Sequence, residues 1–430
     1  MRTTKSNNLD GRSRGWAPAW LTGGRSRSPR GFIRTPRPAV AVSHARTPLG
    51  VDELRTQIGT AAFAFRGYDA SNTGRGVELL EHPVYGAIVA PVLVSASGLC
   101  SAILKRPVDL AARLRDHAPS TLETFVEDIA MIVGLEIAQV RILERVFDIP
   151  VHRARLSFGH SIGELAALVL GGVYEMEQLL PVPLSLAQDC AELTYHTTIG
   201  ILSSSSVNLD VVKVDRLCHG ISARGHGLIG PSTYLSPDHI LLIGQEGTLD
   251  EFEHEMRGML TPDVTLRRRP NHWPPLHTPL VWERNIPNRT AMAMHHITGG
   301  DRKPAPAIVS CATGLANYDE WNSRMILADW TDHPQRIWEA METTLQSGAE
   351  LVIHAGPEPK LIPSAFDRLG TRVIKQLRRG HLERLGSSVI PSMGRQEWIM
   401  RSLPGSAALL RAPYLRHMIL EDWLLVQDVA

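Results

Sequence analysis

After residue 60, the chain alternates between short apolar runs and longer amphipathic repeats. Residues 61–65 (AAFAF) and 154–158 (ARLSF) are typical of buried strands, and residues 121–147 carry apolar side chains at helical spacing. The run IGELAALVLGGV, which begins at Ile162, predicts a helix with a buried face. Strand, sharp turn and helix in this order indicate a parallel sheet of the α/β class.

Residues 197–269 follow a different pattern. The strand-like runs are IGILSSS, HILLIG and VTLRR, and the helical runs are VVKVDRLCHGIS and LDEFEHEMRGML. Strand-helix-strand-strand-helix-strand within one segment predicts a small ferredoxin-like α+β subdomain. Buried-strand patterns return at 306–311 and 350–354. We therefore expect residues 61–196 and 270–380 to form the two parts of one large, α/β-hydrolase-like parallel-sheet domain, into which the small subdomain is inserted.

The two ends of the chain lack this periodicity. Residues 1–60 are rich in Arg, Ser, Gly and Pro, so a disordered basic extension is expected. A nucleic-acid-binding arm, an organelle transit peptide or a start codon placed too far upstream is the alternative interpretation of this segment. Residues 381–430 form an apolar, basic tail whose role the sequence does not indicate.

Composition and charge narrow the classes of function. The 430 residues include 43% hydrophobic and 21% charged residues, and the formal net charge is +1, which favours neither nucleic acid nor a strongly acidic partner. The four cysteines form no CxxC pair, and no signal peptide is expected; both observations favour a reducing, cytoplasmic location. No metal-binding motif and no dinucleotide loop is found, so no metal and no tightly bound cofactor is expected.

One apolar segment is long enough to cross a bilayer. Residues 84–104 carry no charged side chain. Pro91 lies near the middle of the segment, and two glycines and three serines interrupt it. Because apolar runs in large proteins are usually part of the core, the sequence favours a buried helix and turn, and no membrane span is predicted.

Residues 159–163, Gly-His-Ser-Ile-Gly, match the G-x-S-x-G pattern of a nucleophile elbow between a strand and a helix. Such a turn needs small flanking residues, and backbone N–H groups together with the helix N-terminus favour an oxyanion above it. Ser161 is therefore the candidate nucleophile, and a purely structural turn is the alternative. A serine hydroxyl needs a base. Position favours His277, in a proline-fixed segment after the small subdomain, over His160, whose side chain should diverge from its neighbour Ser161.

These motifs together resemble a known family. Gly159–Glu164 resembles the GHSxGE signature of the malonyl-CoA:acyl-carrier-protein transacylases and of the acyltransferase domains of fatty-acid and polyketide synthases. FAFRGYDASNTG, PLHTPL, ILADWTDHPQRIW and HAGPEPKLI stand, in the family's order, at the places of its FxFPGQGSQ, SHxxxM, NPVxW and GPgkvL motifs. The resemblance covers residues 61–370. It implies transfer of an acyl group from coenzyme A to the phosphopantetheine thiol of an acyl carrier protein through an acyl-serine.

The resemblance also implies roles for individual residues. Ser161 attacks the thioester, and His277 accepts its proton and returns it to the leaving thiol. The backbone N–H groups of Ile162 and Tyr68 form the oxyanion hole. Backbone carbonyls near Arg336 orient the histidine. The residues expected at the substrate pocket are His160, Leu186 and Leu276.

Two departures from the family pattern concern the substrate pocket and the oxyanion-hole loop. Leu186 stands 25 residues after the serine, where members that take malonyl groups place an arginine, and no Arg or Lys occurs between Arg155 and Lys213. A buried carboxylate needs such a partner. Either another arginine reaches the malonyl group, or the acyl group is neutral. Leu186 and the apolar Leu276 slightly favour a neutral acyl group. The second departure is Tyr68 in place of the family glutamine.

Two other functions stay open. A serine hydrolase of the α/β-hydrolase or patatin-like kind shares the G-x-S-x-G pattern, and His381 and His417 are the late histidines that an α/β-hydrolase would use. A catalytically weakened acyltransferase-like subunit of a lipid or polyketide synthase would also account for the departures. The collinear second and third motifs favour the transferase.

Overall fold

The computed structural model describes residues 49–69, 71–204, 208–245, 247–269, 273–379 and 405–429. The extension expected at residues 1–48 and the first part of the C-terminal tail lie outside the described residues. Residues 51–60 were expected within the disordered extension, and that expectation is wrong. They form a helix and a 3-10 turn, because Leu54 and Ile58 are buried against the core.

The described residues form nine strands, which are β1 (Ala61–Phe65), β2 (Leu156–Gly159), β3 (Thr197–Ser204), β4 (Ile229–Ser236), β5 (His239–Gln245), β6 (Val264–Arg269), β7 (Ile308–Val309), β8 (Leu351–Ala355) and β9 (Arg416–Ile419). The first eight helices are α1 (Val51–Gln57), α2 (Gly76–Glu81), α3 (Gly86–Leu104), α4 (Leu110–Arg115), α5 (Phe125–Arg145), α6 (Gly163–Leu170), α7 (Met176–Leu179) and α8 (Pro181–Leu193). The later helices are α9 (Val211–Ser222), α10 (Thr248–Met259), α11 (Ile286–His296), α12 (Ser323–Asp329), α13 (Ile337–Gln346), α14 (Leu361–Arg379) and α15 (Leu420–Leu425). Short 3-10 helices span Ile58–Thr60, Val151–Arg153, Thr194–His196, Pro279–Arg284 and Gly405–Tyr414.

A five-stranded sheet organises the large domain. Its strand order is β7-β2-β1-β8-β9, and each neighbouring pair is parallel. All five residues of the central strand β1 are buried, which explains why it appears in the sequence as an uninterrupted apolar run. The carboxyl ends of β1 and β2 lie side by side, since Phe65 pairs with Gly159. The loops that follow these two strands are therefore neighbours.

The second sheet has four strands in the order β4-β5-β3-β6, with every pair antiparallel. Helices α9 and α10 connect its strands, so the chain runs strand-helix-strand-strand-helix-strand through residues 197–269. This is the topology of a ferredoxin-like subdomain. The predicted fold class, a parallel α/β sheet with an inserted small α+β subdomain, is confirmed.

Helix α3 is the uncharged segment singled out in the sequence. It is one helix without a turn, and by length and composition it is the one helix among the described residues that could cross a membrane. Val92 and Ala96 lie against α5 at Gly134, whereas Val94 is 68% exposed. Only 28% of its most apolar stretch is buried, so the expectation of a buried helix and turn is corrected to a single surface helix with one packed face.

The described part of the C-terminal tail completes the large domain. Strand β9 pairs in parallel with β8 at the edge of the sheet. Trp423, on α15, is buried beside Phe147 and donates its indole N–H to the carbonyl of Leu49 at 2.7 Å. Residues 405–429 therefore belong to the core of the domain, which the sequence did not indicate.

Candidate active site

Ser161 lies on a tight turn between β2 and α6. Its φ is 55°, in the left-handed region that residues with a side chain rarely adopt. The N–H of His160 donates to the carbonyl of Phe65 on the neighbouring strand, and the N–H of Glu164 donates to the carbonyl of Ser161, both at 3.0 Å. The strained serine is therefore held from both sides at the carboxyl edge of the sheet.

Two glycines make room for this turn. A methyl group on Gly159 would lie 2.1 Å from the carbonyl carbon of Gly163. A methyl group on Gly163 would lie 2.4 Å from the carbonyl oxygen of Arg66. Both distances are far shorter than a van der Waals contact, so the flanking glycines of the G-x-S-x-G pattern are required by the close approach of neighbouring backbone.

His277 is positioned to act on the serine hydroxyl. Its Nε2 lies 2.8 Å from the Oγ of Ser161, and its Nδ1 lies 2.7 Å from the carbonyl oxygen of Trp330. A carbonyl only accepts, so this pattern assigns the proton to Nδ1 and leaves Nε2 free to accept from the hydroxyl. Burial lowers the pKa of His277 to about 4, although the Trp330 carbonyl opposes the shift. The imidazole is thus neutral at pH 7.

The carbonyl that orients His277 belongs to Trp330, not to the region of Arg336. The backbone N–H of Arg336 donates to the carbonyl of Cys311, and its guanidinium pairs with Glu339. The sequence expectation for Arg336 is therefore corrected. Trp330 also donates its indole N–H to the carbonyl of Ser161 at 3.1 Å, so one residue contacts both the histidine and the serine.

Gln335 is a site residue that the sequence did not reveal. Its side chain is fully buried, and its Oε1 accepts the backbone N–H of Ser161 at 3.0 Å. Its Nε2 lies 3.2 Å from the Nδ1 of His277. The backbone of Gln335 pairs with Ser232 and Tyr234 on β4, which fixes the amide against the small subdomain. Gln335 follows Pro334 in the segment where the family pattern has an aliphatic residue, and that polar replacement was the available signal.

The loop after β1 carries Tyr68 beside the serine turn. Among the described residues, no hydrogen bond satisfies the backbone N–H of Tyr68 or that of Ile162, and both residues line one cavity with Ser161. Tyr68 packs edge-on against Phe125, with ring centroids 4.8 Å apart. Unpaired backbone donors beside a nucleophile are the kind of group that stabilises a developing oxyanion.

Buried Arg66 holds the Tyr68 loop. Its Nε donates to the carbonyl of Gly67 at 2.8 Å, and its terminal nitrogens donate to the carbonyls of Ser71 and Pro357 and to the side chain of Asn72. The guanidinium thus ties the Tyr68 loop to the loop that follows β8. The family motif has proline at this position, so the resemblance did not predict a guanidinium that holds the loop.

The serine and histidine line a cavity of about 510 Å³, named here the reaction cavity. It contains, in addition to the pair, the predicted pocket residues His160 and Leu276, with Tyr68 and Ile162. Burial lowers the pKa of His160 to about 3, so this neighbour of the serine is also neutral. Of the predicted site residues, only Leu186 and Arg336 are absent from this cavity.

A second cavity of about 480 Å³, named here the apolar cavity, adjoins the first. The two share Phe125, Ile162 and Leu276. Leu186, which stands in place of the family arginine, lines the apolar cavity from helix α8. The remaining lining residues are Ile129, Leu165, Leu179, Val182, Pro183, Ala187, Cys190, Ile286, Thr290, Met294, Leu327, Trp330 and Thr331.

Glu164, the last residue of the GHSxGE signature, links the start of α6 to the segment that follows β7. Its carboxylate accepts the N–H of Cys311 at 3.0 Å and the hydroxyl of Tyr318 at 2.9 Å. Burial raises its pKa to about 7, against the effect of these hydrogen bonds. The side chain faces the loop after β7 rather than the reaction cavity, so its role is to position α6 behind Ser161.

Of the two alternative late histidines, the one that the structure describes is hydrogen-bonded to another histidine and not to Ser161. His381 lies outside the described residues. His417 lies on β9, and its Nδ1 is 2.9 Å from the Nε2 of His354 on β8. Among the residues that the structure describes, no group of three or more His, Cys, Asp or Glu side chains is arranged to hold a metal ion.

No family model matches the chain. Many solved structures are similar to it, and two represent them here. FabD from Acinetobacter baumannii aligns with a TM-score of 0.56 and 19% identity, over 72% of this chain and 90% of that one. The acyltransferase domain from module 8 of the salinomycin polyketide synthase aligns with a TM-score of 0.56 and 18% identity, over 73% of this chain and 69% of that one. The chain has the acyltransferase fold. The resemblance predicted from the GHSxGE signature is thereby confirmed for the fold.

A further solved structure and a curated sequence relative are also similar to the chain. An acyl carrier protein S-malonyltransferase from Vibrio cholerae aligns with a TM-score of 0.56 and 18% identity, over 71% of this chain and 92% of that one. A curated relative, polyketide synthase GfsA from Streptomyces halstedii, is 24% identical over 373 residues, which is 83% of this chain. The chain spans about 4% of the length of that synthase.

Proposed function

We propose that the protein is an acyltransferase, similar to the acyl-carrier-protein S-malonyltransferases, that moves an acyl group from coenzyme A to the phosphopantetheine thiol of an acyl carrier protein. The contact of 2.8 Å between His277 Nε2 and Ser161 Oγ carries this proposal. The fold supports it, because structures named as malonyltransferases and as a polyketide synthase acyltransferase domain share it. The corresponding process is fatty-acid or polyketide synthesis.

The geometry supports a two-step transfer. The Oγ of Ser161 forms a bond to the thioester carbonyl carbon while its proton moves to Nε2 of His277. The carbonyl oxygen becomes an oxyanion, for which the N–H groups of Ile162 and Tyr68 are available. The carbon–sulfur bond then breaks, and the imidazolium returns the proton to the coenzyme A thiolate. The carrier thiol attacks the acyl-serine by the same steps in reverse.

The orientation of the histidine bears on the hydrolase alternative. In the α/β-hydrolases an acidic side chain binds the imidazole, whereas here the Nδ1 of His277 faces the backbone carbonyl of Trp330. Asp332 raises the pKa of His277 through its charge and is not among the hydrogen-bond partners of the imidazole; its carboxylate accepts the indole N–H of Trp282. A histidine held by backbone is what the resemblance to the transacylases implies.

The partners follow from this chemistry. Acyl-CoA is the donor substrate, and a phosphopantetheinylated carrier protein is the acceptor. No tightly bound cofactor is part of the proposal. The four cysteines are buried and unpaired, which supports the cytoplasm as the location.

Covalent labelling tests the proposal. The purified protein is exposed briefly to a panel of acyl-CoA donors, and its intact mass is measured. We expect the wild-type protein to form an acyl adduct. Ser161→Ala should form none, and His277→Ala should form it at least about 10³-fold more slowly. Transfer of the adduct to a carrier protein, faster than its loss to water, distinguishes a transferase from a hydrolase. A folded protein that forms no adduct with any donor would indicate the weakened-subunit alternative.

A further inference from the structure

The apolar cavity lies next to the proposed reaction centre. Ile162, the residue after the serine, and Leu276, the residue before His277, belong to both cavities. Trp330, whose carbonyl orients His277, also lines the apolar cavity. An acyl carbonyl bound at Ser161 would therefore have the rest of its chain directed between helices α5, α8 and α11.

No described cation faces this cavity. Leu186 occupies the α8 position that points into it, at 6% exposure. The nearest arginine on α11 is Arg289, one residue before the lining residue Thr290. Its guanidinium instead pairs with Asp189 on the outer side of α8, where its side chain is 42% exposed. The charge of Arg289 is therefore balanced by the carboxylate of Asp189, and its side chain is directed away from the cavity.

The polar side chains of the lining carry no charge: they are the hydroxyl groups of two threonines, the thiol of Cys190 and the indole of Trp330. Thr290 donates its hydroxyl to the carbonyl of Ile286, within its own helix. The hydroxyl of Thr331 is buried and has no hydrogen-bond partner among the described residues. Neither group supplies the paired donors that a buried carboxylate requires. An unpaired carboxylate in this cavity would lose its hydration without compensation.

We propose that this cavity binds the acyl chain and selects neutral, aliphatic acyl groups over malonyl and other acyl groups that carry a carboxylate. The proposal rests on the proposed function of Ser161. Leu186 is then a specificity residue. Its side chain contributes an apolar contact along the acyl chain, and its neutrality excludes an acidic one.

A pair of donors with matched shape tests the proposal on the wild-type protein. Isovaleryl-CoA and malonyl-CoA have branched ends of similar size, and they differ in the carboxylate. We expect isovaleryl to acylate Ser161 at least about 100-fold faster than malonyl, as measured by intact mass against time. An equal rate, or a faster rate with malonyl, would overturn the inference while leaving acyl transfer intact. No adduct with either donor or with a longer neutral acyl-CoA would overturn both.

Two arginine variants on one helix then locate the selectivity. Leu186→Arg introduces a cation into the cavity, and we expect the malonyl-to-isovaleryl rate ratio to rise at least about tenfold. Gln188→Arg adds the same charge at an exposed position of α8 and should leave the ratio unchanged. An equal rise in both variants would assign the effect to overall charge and overturn the role of Leu186. Should Leu186→Arg not fold, Leu186→Ala supplies the test, because an enlarged cavity should favour octanoyl over isovaleryl several-fold.

Discussion

The side chain of Gln335 accepts the backbone N–H of Ser161, although the two residues come from opposite sides of the inserted subdomain in the sequence. The same amide lies 3.2 Å from the Nδ1 of His277, and the backbone of Gln335 pairs with β4. One residue of the large domain thus contacts the nucleophile, its base and the small subdomain. The relative position of the serine and the histidine depends on how these two sheets pack.

Replacing this amide by a carboxylate should change the basicity of the histidine. In Gln335→Glu, an acceptor for the N–H of Ser161 remains, and a negative charge is added beside Nδ1. An adjacent opposite charge favours the imidazolium, so we expect the pKa of His277 to rise by about one unit or more. The pH profile of acylation would show its acidic limb shifted upward by that amount. Gln335→Ala, which removes the acceptor without adding charge, should lower the rate without this shift.

The wild-type pH profile should itself be unusual. His277 must be neutral to accept the serine proton, and burial lowers its pKa to about 4. We expect acylation to stay constant as the pH falls from 8 to about 5, and to reach half its maximum near pH 4. An exposed histidine would give that midpoint near pH 6.5. A midpoint near 6.5, measured where circular dichroism shows the protein folded, would contradict the buried neutral state.

The same shift contributes to stability. Because the folded-state pKa of His277 lies below the value in the unfolded chain, unfolding takes up a proton at acidic pH. The contribution is present above about pH 6.5 and is lost as the pH falls toward 4. We expect chemical denaturation of wild type to show decreasing stability over this range, and His277→Gln to show a shallower decrease. Equal slopes in the two proteins would contradict the assignment.

The glycine before Tyr68 should be intolerant of any side chain. A methyl group on Gly67 would lie 2.5 Å from Nδ1 and 2.8 Å from the carbonyl oxygen of His160. Gly67→Ala should therefore displace the loop and its free N–H, and acylation should slow by about 10²-fold, the effect of losing one oxyanion donor. Gly220→Ala is the matched control, because nothing lies within 4 Å of the added methyl group on α9. Unchanged acylation in Gly67→Ala would place the second donor elsewhere.

Thr331 carries a buried hydroxyl without a partner among the described residues. Thr331→Val keeps the shape of the side chain and removes this unsatisfied group. We expect the free energy of unfolding to rise by about 1 kcal/mol, measured by denaturant titration. A loss of stability would show instead that the hydroxyl is hydrogen-bonded in solution. Thr290→Val, which breaks a formed hydrogen bond to Ile286, should be neutral or destabilising by comparison.

The sequence predicted those parts of the molecule whose residue types are dictated locally. The buried strand β1, the glycines around Ser161 and the helix–strand alternation of residues 197–269 each leave a periodic or compositional signal. The orienting carbonyl of Trp330 leaves none, because every residue type carries a carbonyl. Strand β9 was missed for a related reason: it has four residues, and its partner β8 is remote in sequence. Gln335 acts through an amide whose two partners are set by tertiary packing.

The position of β9 in the sheet has a consequence for synthesis of the protein. The central strand β1 emerges from the ribosome before both strands that follow it on one side of the sheet. Its neighbour β8 is made almost 300 residues later, and β9 is made later still. Trp423 closes over the core only after that. During translation, the apolar faces of β1 and α5 therefore stay exposed until the segments that pack against them have been synthesised. Such long delays between pairing segments slow folding and expose aggregation-prone surface, so the nascent chain is the state that most needs a chaperone.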